Sequence, residues 1–227
     1  MSTRFGTTVK RSAVALLIAA GLVSGAANAT LIDRGGGLIY DNVLNITWAQ
    51  DASLCATLGN CVNRSDTLVT GGMSWNGAMT WATNLVYGGY DDWRLATIDF
   101  TSPNTNQYVC SSGTAANCAA SGNELGYMHY FNLGGGNNTG NQTVGSVTLN
   151  NIQAVYWSGT EGSSSSAWYL SLAGGNQGSR STLAPIVSYA AWAVRDGDVA
   201  AAVPEPASLM LLGLGLFGLG LSRRKKA

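Results

Sequence analysis

The side chains of this sequence that could perform acid–base or nucleophilic chemistry are few and scattered. His129 is the only histidine, and it lies in a run of aromatic residues, which is typical of a packed structural histidine. The nearest carboxylate pairs are Asp91–Asp92 and Asp196–Asp198. Because adjacent strand residues point to opposite faces, Asp91 and Asp92 are not expected to converge on one substrate. A nucleophile would need a base beside it. We therefore expect no catalytic site.

Four cysteines form the second chemical group: Cys55, Cys61, Cys110 and Cys118. They allow three disulfide connectivities. Closeness in sequence favours Cys55–Cys61 and Cys110–Cys118, and each would close a loop worth roughly 2 to 2.5 kcal/mol by chain entropy. Zinc is the alternative, but neither pair has C-x-x-C spacing and only one histidine could assist. Disulfides are the expected state.

Aromatic residues in the last third of the chain could hold a sugar, since rings beside amides and carboxylates suit its mixed surface. The candidates are Trp168, Tyr169, Tyr189 and Trp192, near the loops 160–166 and 174–185. Aromatic residues on strands more commonly fill a core. Both interpretations stay open at this point.

The first 29 residues predict a signal peptide. Three basic residues (Arg4, Lys10 and Arg11) precede a mostly apolar run over 12–23 that is short for a membrane span. Ala27 and Ala29 form a small-x-small cleavage site for signal peptidase, so the mature chain is expected to begin at residue 30. Export through the inner membrane also permits the disulfides.

The C-terminal residues 203–227 carry a second signal. Pro204, Glu205 and Pro206 precede an apolar run of 15 residues over 207–221, and a basic end follows that includes Arg223 and Arg224. At ~1.5 Å per residue the run covers roughly 22 Å as a helix, whereas a comfortable span needs about 20 residues. It predicts a transient membrane insertion with a cytoplasmic C-terminus.

These three elements together resemble the PEP-CTERM sorting signal of Gram-negative bacteria. The resemblance implies that an exosortase recognises the Pro-Glu-Pro element and that the tail is cleaved during export. It also implies a final location on the cell surface or outside the cell. Neither signal indicates what the exported domain binds.

Residues 30–202 form the expected single domain. It holds five arginines, no lysine and eleven acidic residues, for a net charge of −6. A domain without a basic patch is a poor partner for nucleic acid or anionic lipid. We therefore expect no nucleic-acid partner.

Local patterns predict an α+β fold. Strands are expected near 37–40 and 44–48 as a hairpin, and near 154–158, 167–172 and 189–195. One main helix should begin after an N-cap at Ser74 and run to about Val86, ended by Gly88-Gly89. A short second helix is expected over 124–131. Loops are expected over 101–122, 134–145 and 174–185, the last with an edge strand as an option.

Several short blocks carry a second resemblance. They are LIYD at 38–41, ITW at 46–48, MSW at 73–75, GGYDDWRL at 88–95, YWSGT at 156–160 and AWAVR at 191–195. Together they resemble the Lcl C-terminal domain family, over about 37–199. The resemblance implies a C-type-lectin-like fold related to the formylglycine-generating enzyme domain. One departure is Ala96, where the family usually has proline after D-W-R-L.

The same blocks have a structural interpretation. Trp93 and Trp157 are expected in the core. Arg94 and Arg195 are expected to form scaffold ion pairs with an acid such as Asp92 or Glu161.

The lectin-like resemblance raises calcium as a candidate cofactor, with Asp99, Asn138, Asp196 and Asp198 as possible ligands, although no EF-hand spacing exists. The leading hypothesis is a non-enzymatic surface or matrix protein that binds polysaccharide. The alternatives are an enzyme related to formylglycine-generating oxidases, which needs free reactive cysteines, and an inert structural matrix protein.

Overall fold

A computed structural model of the protein describes residues 31–61, 72–98, 110–183 and 188–199. The predictions for the signal peptide with Ala27 and Ala29, for Asp99 and for the sorting signal with Pro204, Glu205, Pro206, Arg223 and Arg224 lie outside the described residues. Within those ranges short helices are combined with antiparallel sheets, so the expected α+β class is confirmed.

The largest sheet brings both ends of the described chain together. It contains β1 (Leu31–Gly35), β2 (Leu38–Asp41), β3 (Ile46–Ala49), β4 (Arg94–Leu95) and β10 (Ala193–Asp196), in the order β1-β2-β3-β10-β4. The predicted opening hairpin is confirmed as β2–β3, paired antiparallel from Leu38 to Ala49. The turn between β2 and β3 is stabilised because the Asp41 carboxylate accepts hydrogen bonds from the N–H groups of Val43 and Leu44, both at 3.0 Å.

Two further sheets carry the second half of the domain. The first is a hairpin of β5 (Gly140–Val144) and β6 (Val147–Ile152), and the second contains β7 (Val155–Glu161), β8 (Ser166–Ser171) and β9 (Gln177–Ser181) in sequence order. The expectation of a loop throughout 134–145 was wrong. Strand β5 is polar and gives no apolar alternation, and Gly145, with φ of 59°, supplies the left-handed conformation that a tight hairpin turn needs. The optional edge strand within 174–185 is present as β9.

Four complete α-helices lie in the described ranges, namely α1 (Leu54–Leu58), α2 (Trp75–Thr83), α3 (Ala115–Ala120) and α4 (Glu124–Tyr127). Residues 110–112 are helical as well. A π-helical turn (Met128–Asn132) continues α4. Helix α2 begins as predicted, since the Ser74 side chain accepts from the N–H of Gly77 at 3.2 Å. It ends at Thr83, before the expected end near Val86. The expectation of only two helices was wrong, because α1 and α3 are single turns that lack a periodic apolar face.

The core is divided between the two faces of the β7–β8–β9 sheet. Alternate residues of β7 point in opposite directions, so Tyr156 joins a cluster with Trp48 and Trp192, whereas Trp157 joins one with Trp81 and Trp93. Trp157 is 1% exposed and Trp93 is 3% exposed, so their expected core positions are confirmed. A smaller cluster around Cys110, Cys118 and Tyr127 covers one end.

Arg94 connects three elements that are distant in the chain. Its guanidinium donates two hydrogen bonds to the Glu124 carboxylate, at 2.8 and 2.7 Å, and also pairs with Asp196. Glu124 accepts a further bond from the N–H of Thr97 at 2.8 Å. Burial lowers the pKa of Arg94, but these carboxylate bonds outweigh it and the pKa is raised. The predicted ion pairs exist, with one correction: Arg94 binds Glu124 and Asp196, whereas Arg195 binds Asp92.

Removing the Arg94 guanidinium should destabilise the domain. Arg94→Met leaves Glu124 with a poorly solvated charge, and the free energy of unfolding should fall by roughly 2 to 3 kcal/mol. Asp196→Asn is the matched control, because the Asp196 side chain is 80% exposed and surface pairs contribute about 0 to 1 kcal/mol. Urea denaturation of the two variants measures both values. Equal losses would contradict the assigned role of Glu124 as the main partner.

Asp41 is a fully buried carboxylate at the end of β2. Besides its two backbone donors, it accepts a hydrogen bond from the Asn132 amide at 2.7 Å, and no ion pair with a described cation is formed. Burial raises the pKa of Asp41 above 3.8, although these hydrogen bonds oppose the rise. The folded state therefore holds this proton more tightly than the unfolded state does.

This burial predicts a pH dependence that a single substitution removes. As pH rises from about 3.8 through the higher folded pKa, the unfolded carboxyl ionises first, so the wild-type protein loses stability in this window. Asp41→Asn keeps an acceptor oxygen without the charge, and its free energy of unfolding should rise relative to wild type between pH 4 and 7. Urea denaturation of both proteins at pH 4 and at pH 7 measures the two differences in the free energy of unfolding. Exposed Asp91→Asn is the control, and an unchanged difference between wild type and Asp41→Asn would refute the prediction.

Candidate functional site

A row of side chains across the third sheet places two tyrosines at the surface. Trp157 on β7 is paired with Tyr169 on β8, and Tyr169 is paired with Gly178 on β9. Because Gly178 has no side chain, the Tyr169 ring lies over β9; a Cβ at Gly178 would be only 2.9 Å from the tyrosine hydroxyl oxygen. A larger residue at this position would therefore require the Tyr169 ring to move.

Tyr189 completes the row from a separate segment. Its backbone forms an isolated antiparallel bridge with Met73, with N–H to carbonyl distances of 2.8 and 3.1 Å. Its ring lies 4.7 Å from that of Trp157 and 5.1 Å from that of Tyr169, between centroids. Trp157 is anchored beneath, since its indole N–H donates to the Met73 carbonyl at 2.8 Å. The two half-buried tyrosines are thus fixed on a rigid base.

Arg180 covers one side of this row. It lies on the same face of β9 as Gly178, two residues further on, with its guanidinium carbon 6.0 Å from the centre of the Tyr169 ring. The nearby Tyr189 hydroxyl raises the pKa of Arg180. Of the four described arginines, Arg180 alone forms no ion pair with a described carboxylate. We call Tyr169, Arg180 and Tyr189 the tyrosine surface.

A shallow depression of about 420 Å³ borders the tyrosine surface. Exposed Gln153 and Ser188 contribute polar groups to it, and Val155 and Ala190 contribute apolar ones. The Gln153 amide N–H donates to the Asn151 carbonyl at 2.8 Å, which leaves its carbonyl oxygen as a free acceptor within the described residues. The surface thus offers ring faces, one cation, hydroxyls and an amide.

The four aromatic residues expected to bind a ligand are not brought together. Tyr169 and Tyr189 meet, but Trp168 points to the opposite face of the sheet and packs against the other cluster. Trp192 is 1% exposed, contacts Trp48 and Tyr156, and donates its indole N–H to the Ala49 carbonyl at 2.8 Å. Its expected place on a binding surface was wrong, because aromatic neighbours on β3 and β7 enclose it.

Sequence reasoning missed Arg180. A lone arginine within the polar segment 174–185 has no pattern of its own. Only the pairing of Tyr169 with Gly178 shows that Arg180 must reach the same ring.

The candidate calcium ligands are dispersed in the described structure. Asp196 pairs with Arg94, and Asp198 pairs with Arg34. Asn138 is buried elsewhere, with its amide nitrogen 3.3 Å from Nδ1 of His129. Within the described ranges no three His, Cys, Asp or Glu side chains are grouped as metal ligands would be.

His129 and the carboxylate pairs also lie apart. His129 is 1% exposed, and burial lowers its pKa, which favours a neutral imidazole. Asp92 is engaged by Arg195 through two hydrogen bonds of 2.7 and 2.8 Å. No described carboxylate is hydrogen-bonded to His129, so the described residues form no catalytic triad around it.

All four cysteines are paired as their spacing predicted. Cys55 is bonded to Cys61 and Cys110 to Cys118, with Cα–Cα distances of 4.8 and 4.7 Å. All four are almost fully buried. The first bond closes the loop after α1, and the second joins the helical residues 110–112 to the last turn of α3.

The exported protein should therefore contain no titratable thiol. Denatured without reductant, it should react with a thiol reagent at zero sites, and after reduction at four. Cys118→Ser should expose one thiol, at Cys110, and lower the free energy of unfolding by about 2.5 kcal/mol through the loss of the loop constraint. One or more thiols in the unreduced wild-type protein would contradict this pairing.

Comparison with known families concerns the C-terminal tail. Residues 202–225 match the family model of the PEP-CTERM protein-sorting motif. The chain is therefore an exosortase-targeted protein exported to the cell envelope or surface of a Gram-negative bacterium, as the sequence predicted. No curated protein and no solved structure matches it.

Among the described residues, no helix combines the length and apolar character that crossing a bilayer requires.

Proposed function

We propose that the exported domain is a lectin-like module that binds polysaccharide on the cell surface or in the extracellular matrix. The supporting observation is the tyrosine surface, where two half-buried rings lie beside a depression with amide and hydroxyl groups. Tyrosine supplies contact area at low cost in conformational entropy because its ring has few free torsions. Sugar rings present both apolar faces and hydroxyls, so this combination suits them.

We further propose that the domain belongs to the Lcl C-terminal type, with a C-type-lectin-like fold. The blocks that carry this resemblance are far apart in sequence but adjacent in space. Strand β10 of the AWAVR block pairs with β4 of the DWRL block, and β4 contacts β7 of the YWSGT block. Contacts among these blocks are consistent with the proposal that this domain and the Lcl C-terminal family share one fold, in which the blocks form the central packing.

The proposed route to the surface uses both ends of the chain. Signal peptidase removes residues 1–29, and the apolar segment 207–221 enters the membrane transiently. Exosortase then acts at the Pro-Glu-Pro element and releases residues 30–202 to the outside. Exopolysaccharide is the proposed partner there.

We propose binding without catalysis for this domain. An oxidase of the formylglycine-generating type would need free cysteines, and the described cysteines are all paired. An inert matrix protein is the remaining alternative, and a failure to bind polysaccharide would favour it. Calcium stays a candidate cofactor that the binding experiment should include.

A pull-down with exopolysaccharide from the producing cells tests the proposal. The exported protein should bind it, and Tyr169→Ala and Arg180→Ala should each weaken binding about tenfold, or about 1.4 kcal/mol. The assay is repeated with calcium and with a chelator. Tyr40→Ala is the matched control, because Arg34 lies 5.2 Å above Tyr40 as Arg180 lies above Tyr169.

Two results would reject the proposal. One is a folded wild-type protein that fails to bind with or without calcium. The other is an equal loss of binding in Tyr40→Ala and Tyr169→Ala, which would indicate a general effect of removing a surface ring.

A further inference from the structure

Exposed apolar side chains are concentrated at one groove. The described residues contain three large exposed hydrophobic side chains: Leu58 at 48%, Val86 at 73% and Leu183 at 55%. Two of these, Leu58 and Val86, line the same groove between the α1 loop and the end of α2. Scattered exposed apolar residues need no explanation, but clustered ones indicate a binding surface.

The groove has the size of a ligand site. Its volume is about 470 Å³, within the range of roughly 300 to 1,000 Å³ typical of small-molecule sites. Leu58 and Val86 contribute exposed apolar side chains, and buried Trp81 and Leu85 line it as well. None of its lining residues belongs to the tyrosine surface.

Uncharged polar groups complete the lining. The Trp81 indole N–H donates to the Asn60 side-chain oxygen at 3.0 Å, which fixes the Asn60 amide and leaves its two N–H donors available. The Asn60 backbone is held as well, since its N–H donates to the Cys55 carbonyl at 2.9 Å within the disulfide loop. Thr80 and Asn84, one helical turn apart, add a hydroxyl and a second amide, and neither side chain has a hydrogen-bond partner in the described residues.

We propose that this groove binds a neutral sugar unit. The described lining residues carry no charged side chain, so they offer no counter-charge to an anionic or cationic ligand. A purely apolar ligand would cover Asn60, Thr80 and Asn84 without hydrogen bonds, and buried polar groups left unpaired are costly. An uncharged polyhydroxylated ring satisfies both the apolar walls and the polar groups.

The site is preorganised by covalent and hydrogen-bonded constraints. The Cys55–Cys61 bond and the Trp81–Asn60 hydrogen bond hold one wall against α2. Rigid groups lose little conformational freedom on binding. The inference is independent of the tyrosine surface, so either site can exist without the other.

Titrations of the exported protein followed by NMR test this site. The probes are glucose, galactose and N-acetylglucosamine as neutral sugars, glucuronate as a charged analogue, and an anilinonaphthalene dye as an apolar probe. The signals are the Trp81 indole N–H and the side-chain amides of Asn60 and Asn84. At least one neutral sugar should shift them in a saturable way, and glucuronate should bind about tenfold more weakly or not at all.

Variants then locate the binding. Asn84→Ala and Leu58→Ala should each weaken the neutral sugar about tenfold, whereas Leu183→Ala, at the third exposed apolar residue, should leave it unchanged. Tyr169→Ala should also leave it unchanged, which separates this groove from the tyrosine surface. Trp81→Phe removes the indole donor without emptying the core and should weaken binding by freeing Asn60.

Three outcomes would overturn the inference. The first is no shift of these signals with any neutral sugar. The second is dye binding that Leu58→Ala abolishes while no sugar binds, which would indicate an apolar ligand. The third is loss of sugar binding in Tyr169→Ala alone, which would assign the sugar to the tyrosine surface.

Discussion

The Arg94 guanidinium is the interaction on which the arrangement of the domain depends most. It joins β4, α4 and β10, which lie about thirty and one hundred residues apart in the chain. Glu124 is the first residue of α4 and Asp196 is the last residue of β10. This domain has many glycines and loops, and its helices are short. A planar cation with several donors can therefore fix the relative positions of elements that have little packing area between them. The other described ion pairs, Arg195 with Asp92 and Arg34 with Asp198, close the same sheet at its surface.

Aromatic side chains supply most of the remaining order. The third sheet has a core cluster on each face, so one residue step along β7 moves a ring from one cluster to the other. This is why Tyr156 is enclosed with Trp192, whereas neighbouring Trp157 supports Tyr169 and Tyr189. The same parity decides which aromatic residues reach solvent. The tyrosine surface is therefore the outer edge of a core cluster, which explains why its rings are rigid.

The sequence predicted those structural features that depend on residues close together in the chain. The β2–β3 hairpin, the Ser74 cap and the two short disulfide loops rest on neighbouring residues, and all three were predicted. Polar β5 and single-turn α3 have no apolar periodicity, so they were interpreted as loop. For the candidate sites, Tyr169 and Tyr189 were identified, but separating them from Trp192 required the strand register. The groove could not be predicted from the sequence, because Asn60 and Asn84 line the same groove only after the disulfide loop has folded against α2.

The composition of the domain and its destination impose related constraints. A domain without lysine and with few charges gains little from surface ion pairs, and its export makes disulfides available to hold short helices such as α1. One of these bonds fixes Asn60 beside Trp81, so the covalent chemistry that export permits also shapes the proposed neutral-sugar groove. If both this groove and the tyrosine surface engage one polymer, the second contact is intramolecular and its effective concentration depends on the spacing of the two sites. Two individually weak contacts would then suffice to retain the protein in a matrix, because a polysaccharide presents the same unit many times.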